Sequence, residues 1–251
     1  MRTCQRELAR LLAQSGALYF DEGLTLKDGR PTPYFVNFGL FRTGRLVSDL
    51  GRIMADFLQE TATVDDFDVI VGPSYKGSAL AIATVEALWR GHNVDKSFDY
   101  DRKEAKTHGE GSREEALFVT GALGDGSRVL IVDDVATTMA TKFDILGQLT
   151  AQAIKSGHSY YPAGVALFLD RQQTTAVYDA DGVPEAGVKG QDAVKNFKIK
   201  TGLEVQTILG IRETVEYLSA EKIPVRQGGQ PAVLTDSTVR ALIHYLDLYG
   251  V

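Results

Sequence analysis

Apolar side chains recur along the chain at two spacings, which predict helices and strands in alternation. Leucines three and four residues apart predict an amphipathic helix over residues 5–15, and a wider apolar stripe predicts another over residues 45–60. From residue 67 onward, short and nearly continuous aliphatic runs indicate buried strands. These strands are predicted at residues 68–72, 129–133, 164–169 and 204–209. Further helices are predicted at residues 78–90, 141–156 and 237–249.

Buried strands that alternate with helices are typical of a parallel sheet covered on both faces and connected by right-handed crossovers. We therefore predict an α/β fold, a doubly wound parallel sheet, in a single domain spanning residues 1–251. Two segments of high β-propensity flank Asp28-Gly29, a dipeptide typical of tight turns, and together they predict a hairpin. Residues 1–44, which include this hairpin, are therefore expected to contribute a small N-terminal hood over the active site. The irregular stretch from residue 172 to 202 is expected to be a surface excursion with a short helix near Phe197.

Composition and charge narrow the class of protein. Hydrophobic residues make up 44% of the chain, which excludes a disordered chain, and the net charge of −6 argues against a protein that mainly neutralises nucleic-acid phosphates. No apolar run approaches the ~20 residues that span a bilayer. Cys4 is the single cysteine and the N-terminal residues lack the apolar core of a signal peptide, so a cytoplasmic setting is expected.

The strongest candidate chemistry lies at the end of the strand predicted at 129–133. Asp133 and Asp134 are followed there by small and hydroxyl residues that open a helix. Adjacent carboxylates suit the vicinal hydroxyls of a sugar or a hydrated cation, and free amides at a helix N-terminus suit a phosphate. The pattern therefore indicates a phosphorylated ribose. The alternative, that these residues only cap the turn and the helix, stays open.

Two further segments suit anions. Residues 72–77 form a glycine-bounded turn after a predicted strand, and Lys76 places a positive charge in it, although an ordinary turn with a solvated lysine is the alternative. Residues 100–113 contain a cluster of Arg102, Lys103, Lys106 and His108 and almost no apolar side chains, which favours a mobile lid over a polyanion. An ordinary solvated loop is the alternative for this charge run.

These motifs match a known family. The strand with its acidic pair resembles the signature of type I phosphoribosyltransferases, and residues 102–111 resemble the catalytic loop of orotate phosphoribosyltransferases. Agreement in order and spacing extends to residues 25–30, 33–35, 39–41, 72–77 and 169–172. The resemblance implies transfer of a phosphoribosyl group from phosphoribosyl pyrophosphate to orotate, giving orotidine 5′-monophosphate and pyrophosphate. It also implies Mg²⁺, held mainly by phosphoribosyl pyrophosphate with no direct protein ligand, and a homodimer with shared active sites.

The resemblance also implies a role for each candidate residue. Cations of the lid would neutralise the departing pyrophosphate, and His108 can supply a proton because a histidine ordinarily titrates near neutrality. The implied catalytic residues are Arg102, Lys103, Lys106, His108 and Asp133. The implied substrate-binding residues are Lys27, Phe35, Tyr75, Lys76, Asp134, Thr137, Thr138, Met139, Ala140, Thr141 and Arg171. In this scheme Lys76 holds the pyrophosphate, residues 137–141 hold the 5-phosphate, and Lys27 and Arg171 hold orotate.

The sequence departs from the family pattern at Met139. The family commonly has a glycine at this position, so a positive φ there would strain the methionine and change the phosphate loop.

Two rival functions stay open. A phosphoribosyltransferase for another nucleobase, such as a purine, would not be expected to have the cation-rich lid or the Lys27 hairpin. A non-catalytic regulator that senses phosphoribosyl pyrophosphate should show a basic face or an added nucleic-acid-binding module. Trp89 is expected in the core or at an interface.

Overall fold

A computed structural model describes residues 1–103 and 116–251. The helices in these residues are α1 (Thr3–Gln14), α2 (Gly44–Glu60), α3 (Lys76–His92), α4 (Ala140–Ser156), α5 (Ala193–Thr201), α6 (Ile211–Ala220) and α7 (Asp236–Tyr249). The strands are β1 (Leu18–Phe20), β2 (Phe35–Val36), β3 (Val69–Gly72), β4 (Ser97–Tyr100), β5 (Arg128–Ala136), β6 (Tyr161–Asp170), β7 (Val205–Gly210), β8 (Val225–Gln227) and β9 (Gln230–Ala232). None of the helices in these two ranges combines the length and the apolarity that crossing a bilayer requires.

The main sheet has the strand order β4-β3-β5-β6-β7, and each neighbouring pair is parallel. Side chains alternate between its faces, so Leu130 and Val132 join one apolar core while Val129 and Ile131 join a second. The first core packs against α1, α2 and α3, and the second packs against α4 and α5. A parallel sheet buried on both faces confirms the predicted doubly wound α/β fold.

The hood is built from both ends of the chain. A second sheet has the order β2-β1-β8-β9, in which β1 pairs antiparallel with β2 and parallel with β8. The hairpin predicted around Asp28-Gly29 is reduced to a single antiparallel bridge between Thr25 and Pro31, and β2 pairs with β1 instead. The hood thus includes C-terminal strands beside residues 1–44.

The predicted helices agree closely with the structure, but the end of β5, the start of β6 and the start of the lid differ from their predictions. Each helix predicted from the apolar period begins and ends within two residues of its counterpart, and the short helix expected near Phe197 is α5. However, β5 continues past the acidic pair to Ala136, so these carboxylates lie within the strand and not after it. The predicted start of the lid at residue 100 is wrong, because Tyr100 ends β4 and Asp101 is buried in a bridge to Phe118.

The environment of Cys4 gives a direct test of the N-terminal packing. Its side chain is buried, and its Sγ lies 3.4 Å from a carboxylate oxygen of Glu60. Burial, with a further contribution from the Glu60 carboxylate, raises the pKa of the thiol to about 11. We expect the native thiol to be unreactive towards a disulfide reagent at neutral pH and to react at once in denaturant, as followed by release of the coloured thiolate. Equal rates in the native and denatured protein would contradict this packing.

Candidate active site

The carboxyl ends of β5 and β6 and the hood enclose a cleft of about 440 Å³. Its wall on one side is the start of α4, and on the other side it is the hood and the segment after β6. Six of the predicted substrate-binding residues line it: Lys27, Thr137, Thr138, Ala140, Thr141 and Arg171. The structure therefore gathers residues that are more than 140 positions apart, as expected where parallel strands end. Their roles in binding stay predictions.

Two buried guanidinium groups in the wall of this cleft have unsatisfied donors. Arg171 donates through Nε to the hydroxyl oxygen of Tyr34 at 3.3 Å, but its Nη2 has no hydrogen-bond partner among the described residues. Arg30 pairs with Asp28 at 2.7 Å, but its Nη1 is also without a partner in the described part of the chain. A buried donor left unpaired costs about 1–3 kcal/mol, and more when the group is charged. Such groups at a cleft indicate an anionic ligand.

The aromatic residues of the hood fix the position of Arg171. Its guanidinium carbon lies 5.1 Å from the centre of the Tyr34 ring and 5.9 Å from that of the Phe35 ring. Burial raises the pKa of the Tyr34 hydroxyl, which therefore stays neutral and accepts the Nε–H of Arg171. Phe35, predicted to lie against the face of the base, is thus adjacent to the guanidinium predicted to bind it. Arg30 was missed by the sequence analysis, because an arginine in a turn is ordinarily solvated.

The two carboxylates of the acidic pair point to opposite faces of β5. Asp133 is buried against α4, where its Oδ2 accepts from Lys142 Nζ at 2.5 Å and from the Thr141 hydroxyl at 3.4 Å. Lys142 was also missed by the sequence analysis. It shares the buried face of α4 with Ile145 and Leu149, so a lysine on an otherwise apolar stripe is the signal that identifies it.

Asp134 faces the other side of the strand, towards the start of α3. Its Oδ2 lies 3.4 Å from Lys76 Nζ, which brings the predicted pyrophosphate lysine to the acidic pair. Burial and the neighbouring Asp133 carboxylate raise the pKa of Asp134, and the Lys76 ammonium counteracts part of that rise. The Lys76 side chain is 60% exposed, so this ion pair contributes little to stability and Lys76 is free to bind a ligand instead.

The turn that holds Lys76 is too tight for any residue except glycine at its two ends. A Cβ on Gly72 would lie 1.9 Å from the carbonyl oxygen of Gly77, and a Cβ on Gly77 would lie 2.7 Å from Cδ of Pro73. The Gly77 amide donates to the Pro73 carbonyl at 3.0 Å, and the Ser74–Tyr75 peptide bond is cis. Close backbone contact therefore fixes where α3 begins.

Asp101 braces this turn from β4. Its Oδ1 accepts from the Ser74 amide at 2.5 Å, and its Oδ2 lies 2.9 Å from Lys103 Nζ. Burial alone would raise the pKa of Asp101, but the Ser74 amide and the Lys103 ammonium together hold it below its ordinary value. Arg102, Lys103 and Tyr75 line one depression of about 480 Å³ beside the turn. Two cations of the predicted lid thus lie near the predicted pyrophosphate site, and the other two residues, Lys106 and His108, lie outside the described residues.

Met139 adopts the left-handed conformation that the family's glycine would suit. Its φ is 61°, and its side chain is buried in the core formed with Ile145 and Phe197. The left-handed backbone costs about 1–2 kcal/mol in a residue with a Cβ. Burial of a methionine side chain contributes about 1.5–3 kcal/mol, which offsets that strain. Met139 offers no side-chain cap, and the Ala140 amide has only the Thr138 hydroxyl, at 3.4 Å, as its acceptor. A phosphate at the start of α4 could replace that long contact.

The excursion after β6 also forms part of the cleft, which the sequence analysis did not predict. Thr174, Thr175 and Tyr178 line it opposite the start of α4. The C-terminal helix holds this segment in place, because the Tyr249 carbonyl accepts from the Thr174 amide at 2.7 Å and the Tyr249 hydroxyl accepts from the Gly187 amide at 3.0 Å. The segment is therefore a wall of the candidate site.

A larger hollow of about 930 Å³ lies between the hood and α7. It contains none of the residues predicted from the sequence, and its acidic side chains are Asp21 and Glu22. The nearby Arg226 already pairs with Asp21 at 3.5 Å. This hollow is poorly suited to the anions for which the smaller cleft has unsatisfied donors.

Comparison with known proteins gives independent evidence. The phosphoribosyl transferase domain family matches residues 40–177. The chain is 35% identical to an orotate phosphoribosyltransferase of Chromohalobacter salexigens, covering 98% of this chain and 95% of the relative, and 33% identical to one of Bifidobacterium longum, covering 99% and 98%. The crystal structure of orotate phosphoribosyltransferase from Francisella tularensis is similar, with a TM-score of 0.70 and 26% identity over 95% of this chain and 96% of that one.

The glycine turn before α3 yields a prediction on stability. We expect Gly72→Ala to lower the free energy of unfolding by about 3 kcal/mol, because the new Cβ overlaps the Gly77 carbonyl. Gly91→Ala is the matched control, since Gly91 lies in α3 with nothing within 4 Å of its Cβ position and alanine is favoured in helices by about 1 kcal/mol. Urea unfolding followed by circular dichroism measures both, and equal stability of the two variants would contradict the tight turn.

Proposed function

The chain belongs to the phosphoribosyl transferase family, among its orotate phosphoribosyltransferases, and on this premise we propose how its cleft works. The reaction transfers the phosphoribosyl group of phosphoribosyl pyrophosphate to orotate and releases pyrophosphate, a step of pyrimidine biosynthesis. The resemblance that the sequence motifs indicated is therefore confirmed. The assignment of individual residues to this reaction is our proposal.

The observation that carries the proposal is the pair of unsatisfied guanidinium groups in the cleft. Arg30 Nη1 and Arg171 Nη2 are buried donors without acceptors in the described chain, and Lys27 lines the same cleft. Orotate is an anion, and its carboxylate would supply the missing acceptors through charge-assisted hydrogen bonds. The Phe35 ring beside Arg171 would then support the flat face of the base. This arrangement favours orotate over an uncharged purine.

The opposite wall of the cleft suits the phosphorylated ribose. Amides and hydroxyls of residues 137–141 would bind the 5-phosphate at the start of α4, where the helix dipole favours an anion. Asp133 and Asp134 lie between that site and Lys76, so we assign them to the ribose hydroxyls. The Asp134 carboxylate faces Lys76 and accepts such hydrogen bonds when it is ionised.

The pyrophosphate would lie between the glycine turn and the lid. Lys76 and Tyr75 would contact it from the turn, and Arg102 and Lys103 would approach it from the depression beside the turn. Lys106 and His108, which lie outside the described residues, are assigned to the same leaving group by the sequence resemblance. Cations placed where negative charge develops lower the barrier, and removal of one such group typically lowers kcat by about 10²–10³.

The donor set of the described residues fits a Mg²⁺ ion that arrives with the substrate. These residues contain no group of three or more His, Cys, Asp and Glu side chains that could hold a metal ion. Asp133 is already paired with Lys142, while Asp134 keeps a partly exposed carboxylate that could contact a hydrated cation through water. The bound ion would neutralise charge on the leaving diphosphate.

An exposed apolar stripe on α3 supports a homodimer. Tyr75, Ile82 and Trp89 recur every seven residues on one face. Trp89 is 54% exposed, so of its two predicted places the core is excluded and an interface stays a prediction. Tyr75 and Ile82 line the same depression as Arg102 and Lys103. A second copy packed symmetrically on this stripe would bring its own Arg102 and Lys103 to this depression, as shared active sites require.

A cytoplasmic setting remains part of the proposal. The structure keeps Cys4 as a free, buried thiol, which is compatible with a reducing compartment.

Assay of the purified protein with Mg²⁺, phosphoribosyl pyrophosphate and each of orotate, uracil, adenine and hypoxanthine tests the function. We expect turnover of orotate alone, measured as the loss of orotate absorbance.

Arg171→Met should raise KM for orotate by about tenfold or more with little change in KM for phosphoribosyl pyrophosphate, because a charge-assisted hydrogen bond contributes about 1.5–3 kcal/mol.

Arg226→Met is the matched control for that assay. It removes another guanidinium of the hood, one that lies 3.9 Å from the Tyr19 ring and outside the cleft. We expect its KM for orotate to stay near that of the wild type. Turnover of a purine alone, or equal effects of the two substitutions on KM for orotate, would refute the assignment.

Sedimentation velocity tests the homodimer. We expect Trp89→Asp to convert the dimer to a monomer and to abolish most activity, because a charge would be buried within the apolar stripe. Ile154→Asp is the control, since Ile154 is also exposed but lies on α4, away from the stripe. A Trp89→Asp protein that sediments as the wild type does would exclude this surface as the interface.

A further inference from the structure

Lys142 is a charged residue at a position where the fold calls for an apolar one. It is 3% exposed and shares the buried face of α4 with Ile145 and Leu149. Lysine is almost never fully buried without a partner, and replacing a buried ion pair with packed apolar residues is often neutral or stabilising. The pair that Lys142 makes with Asp133 is therefore poorly explained by stability alone.

The contacts of Asp133 show what Lys142 does to the acidic pair. Oδ2 of Asp133 accepts from Lys142 and from the Thr141 hydroxyl, and Oδ1 accepts from the Asp134 amide at 2.9 Å. Both oxygens are thus engaged by the chain itself, and Oδ1 keeps one lone pair for a ribose hydroxyl. Lys142 Nζ also donates to the Val135 carbonyl oxygen at 3.3 Å, so the ammonium is held against β5 by two contacts.

The counter-ion of Asp134 can be exchanged, whereas that of Asp133 cannot. Asp134 meets only the exposed Lys76, at 3.4 Å, and this lysine can move away to bind a ligand. Lys142 is enclosed by the core and has no such freedom. The acidic pair therefore has one fixed counter-charge and one exchangeable counter-charge.

We propose that Lys142 is a built-in counter-ion of the acidic pair and a positioning residue for Asp133. Two adjacent unpaired carboxylates would attract a divalent cation, since ligand charge sets the affinity of such sites. With Lys142 in place, only the charge of Asp134 is available, so the free enzyme does not bind a divalent cation at the pair. The metal enters with the diphosphate, a consequence that rests on the proposed function, whereas the charge assignment does not.

Binding of Mn²⁺ in the absence of substrates, followed by its electron paramagnetic resonance signal, tests the proposal. If the wild type binds any Mn²⁺, we expect Asp133→Asn to leave that binding unchanged. Lys142→Ala should create a saturable Mn²⁺ site whose affinity exceeds any shown by the wild type by about tenfold or more, because the charge of Asp133 is released and space opens for water. The double variant Asp133→Asn with Lys142→Ala should lose that site again.

Lys142→Gln is the second variant, for the case in which truncation to alanine prevents folding, because it keeps a hydrogen-bond donor near Asp133 while removing the charge. It should also gain the Mn²⁺ site, whereas Lys142→Arg, which keeps the charge, should not. Substrate-free binding in the wild type that depends on Asp133 would overturn the proposal. So would folded alanine and glutamine variants that bind Mn²⁺ no better than the wild type.

The outcome is separable from that of the proposed function. If the orotate assay fails but the Mn²⁺ measurements give the expected pattern, the proposed reaction is refuted and the charge assignment stands. If the wild type turns over orotate but binds Mn²⁺ through Asp133 without substrate, the reaction stands and the proposed role of Lys142 is refuted.

Discussion

Charges gathered at the carboxyl edge of the parallel sheet must each be balanced before a substrate arrives. The strands bring the carboxylates of Asp101, Asp133 and Asp134 to this edge, where an unbalanced buried charge would cost several kcal/mol. Each is balanced differently: Asp101 by a backbone amide and Lys103, Asp133 by the buried Lys142, and Asp134 by the exposed Lys76. The cationic side of the cleft is left incomplete, with donors of Arg30 and Arg171 unpaired in the described chain. An anionic ligand would complete the balance, as we propose for orotate.

This balance depends on a rigid frame. Residues of β5 alternate between two cores, so the strand that carries the acidic pair is packed on both faces and has little freedom to shift. The same alternation sends Asp133 towards α4 and Asp134 towards α3, and each carboxylate meets a lysine from the helix on its own side. The fold thus determines which counter-charge is fixed and which is exchangeable, since α4 buries its lysine and α3 begins at the surface.

The sequence predicts the frame better than the site, for a physical reason. Helices and central strands follow from local apolar periods; the predicted helix bounds agree with the structure within two residues and the predicted strand bounds within three. The strands β8 and β9 have three residues each and pair with distant or polar partners, so no local period reveals them. Arg30 and Lys142 were missed because charged residues are expected to be solvated, and their burial depends on partners that only the folded chain supplies. The motifs that resemble a known family name six residues that line one cleft, which periodicity could not do, and their roles there stay predictions.

The two ends of the cleft are built by different kinds of contact. The proposed phosphate end is local: the acidic pair, Met139 and Lys142 lie within ten consecutive residues, and the strain of Met139 is offset by its own burial. The proposed orotate end is non-local, because Arg30 lies 5.3 Å from the ring of Tyr249, the same residue that holds the excursion after β6. A substitution at the proposed phosphate end can be offset locally, as the buried side chain of Met139 illustrates at the position of the family's glycine. A change at the orotate end must be accommodated by the hood, the excursion and the C-terminal helix together, so the geometry of the base site is the more constrained of the two.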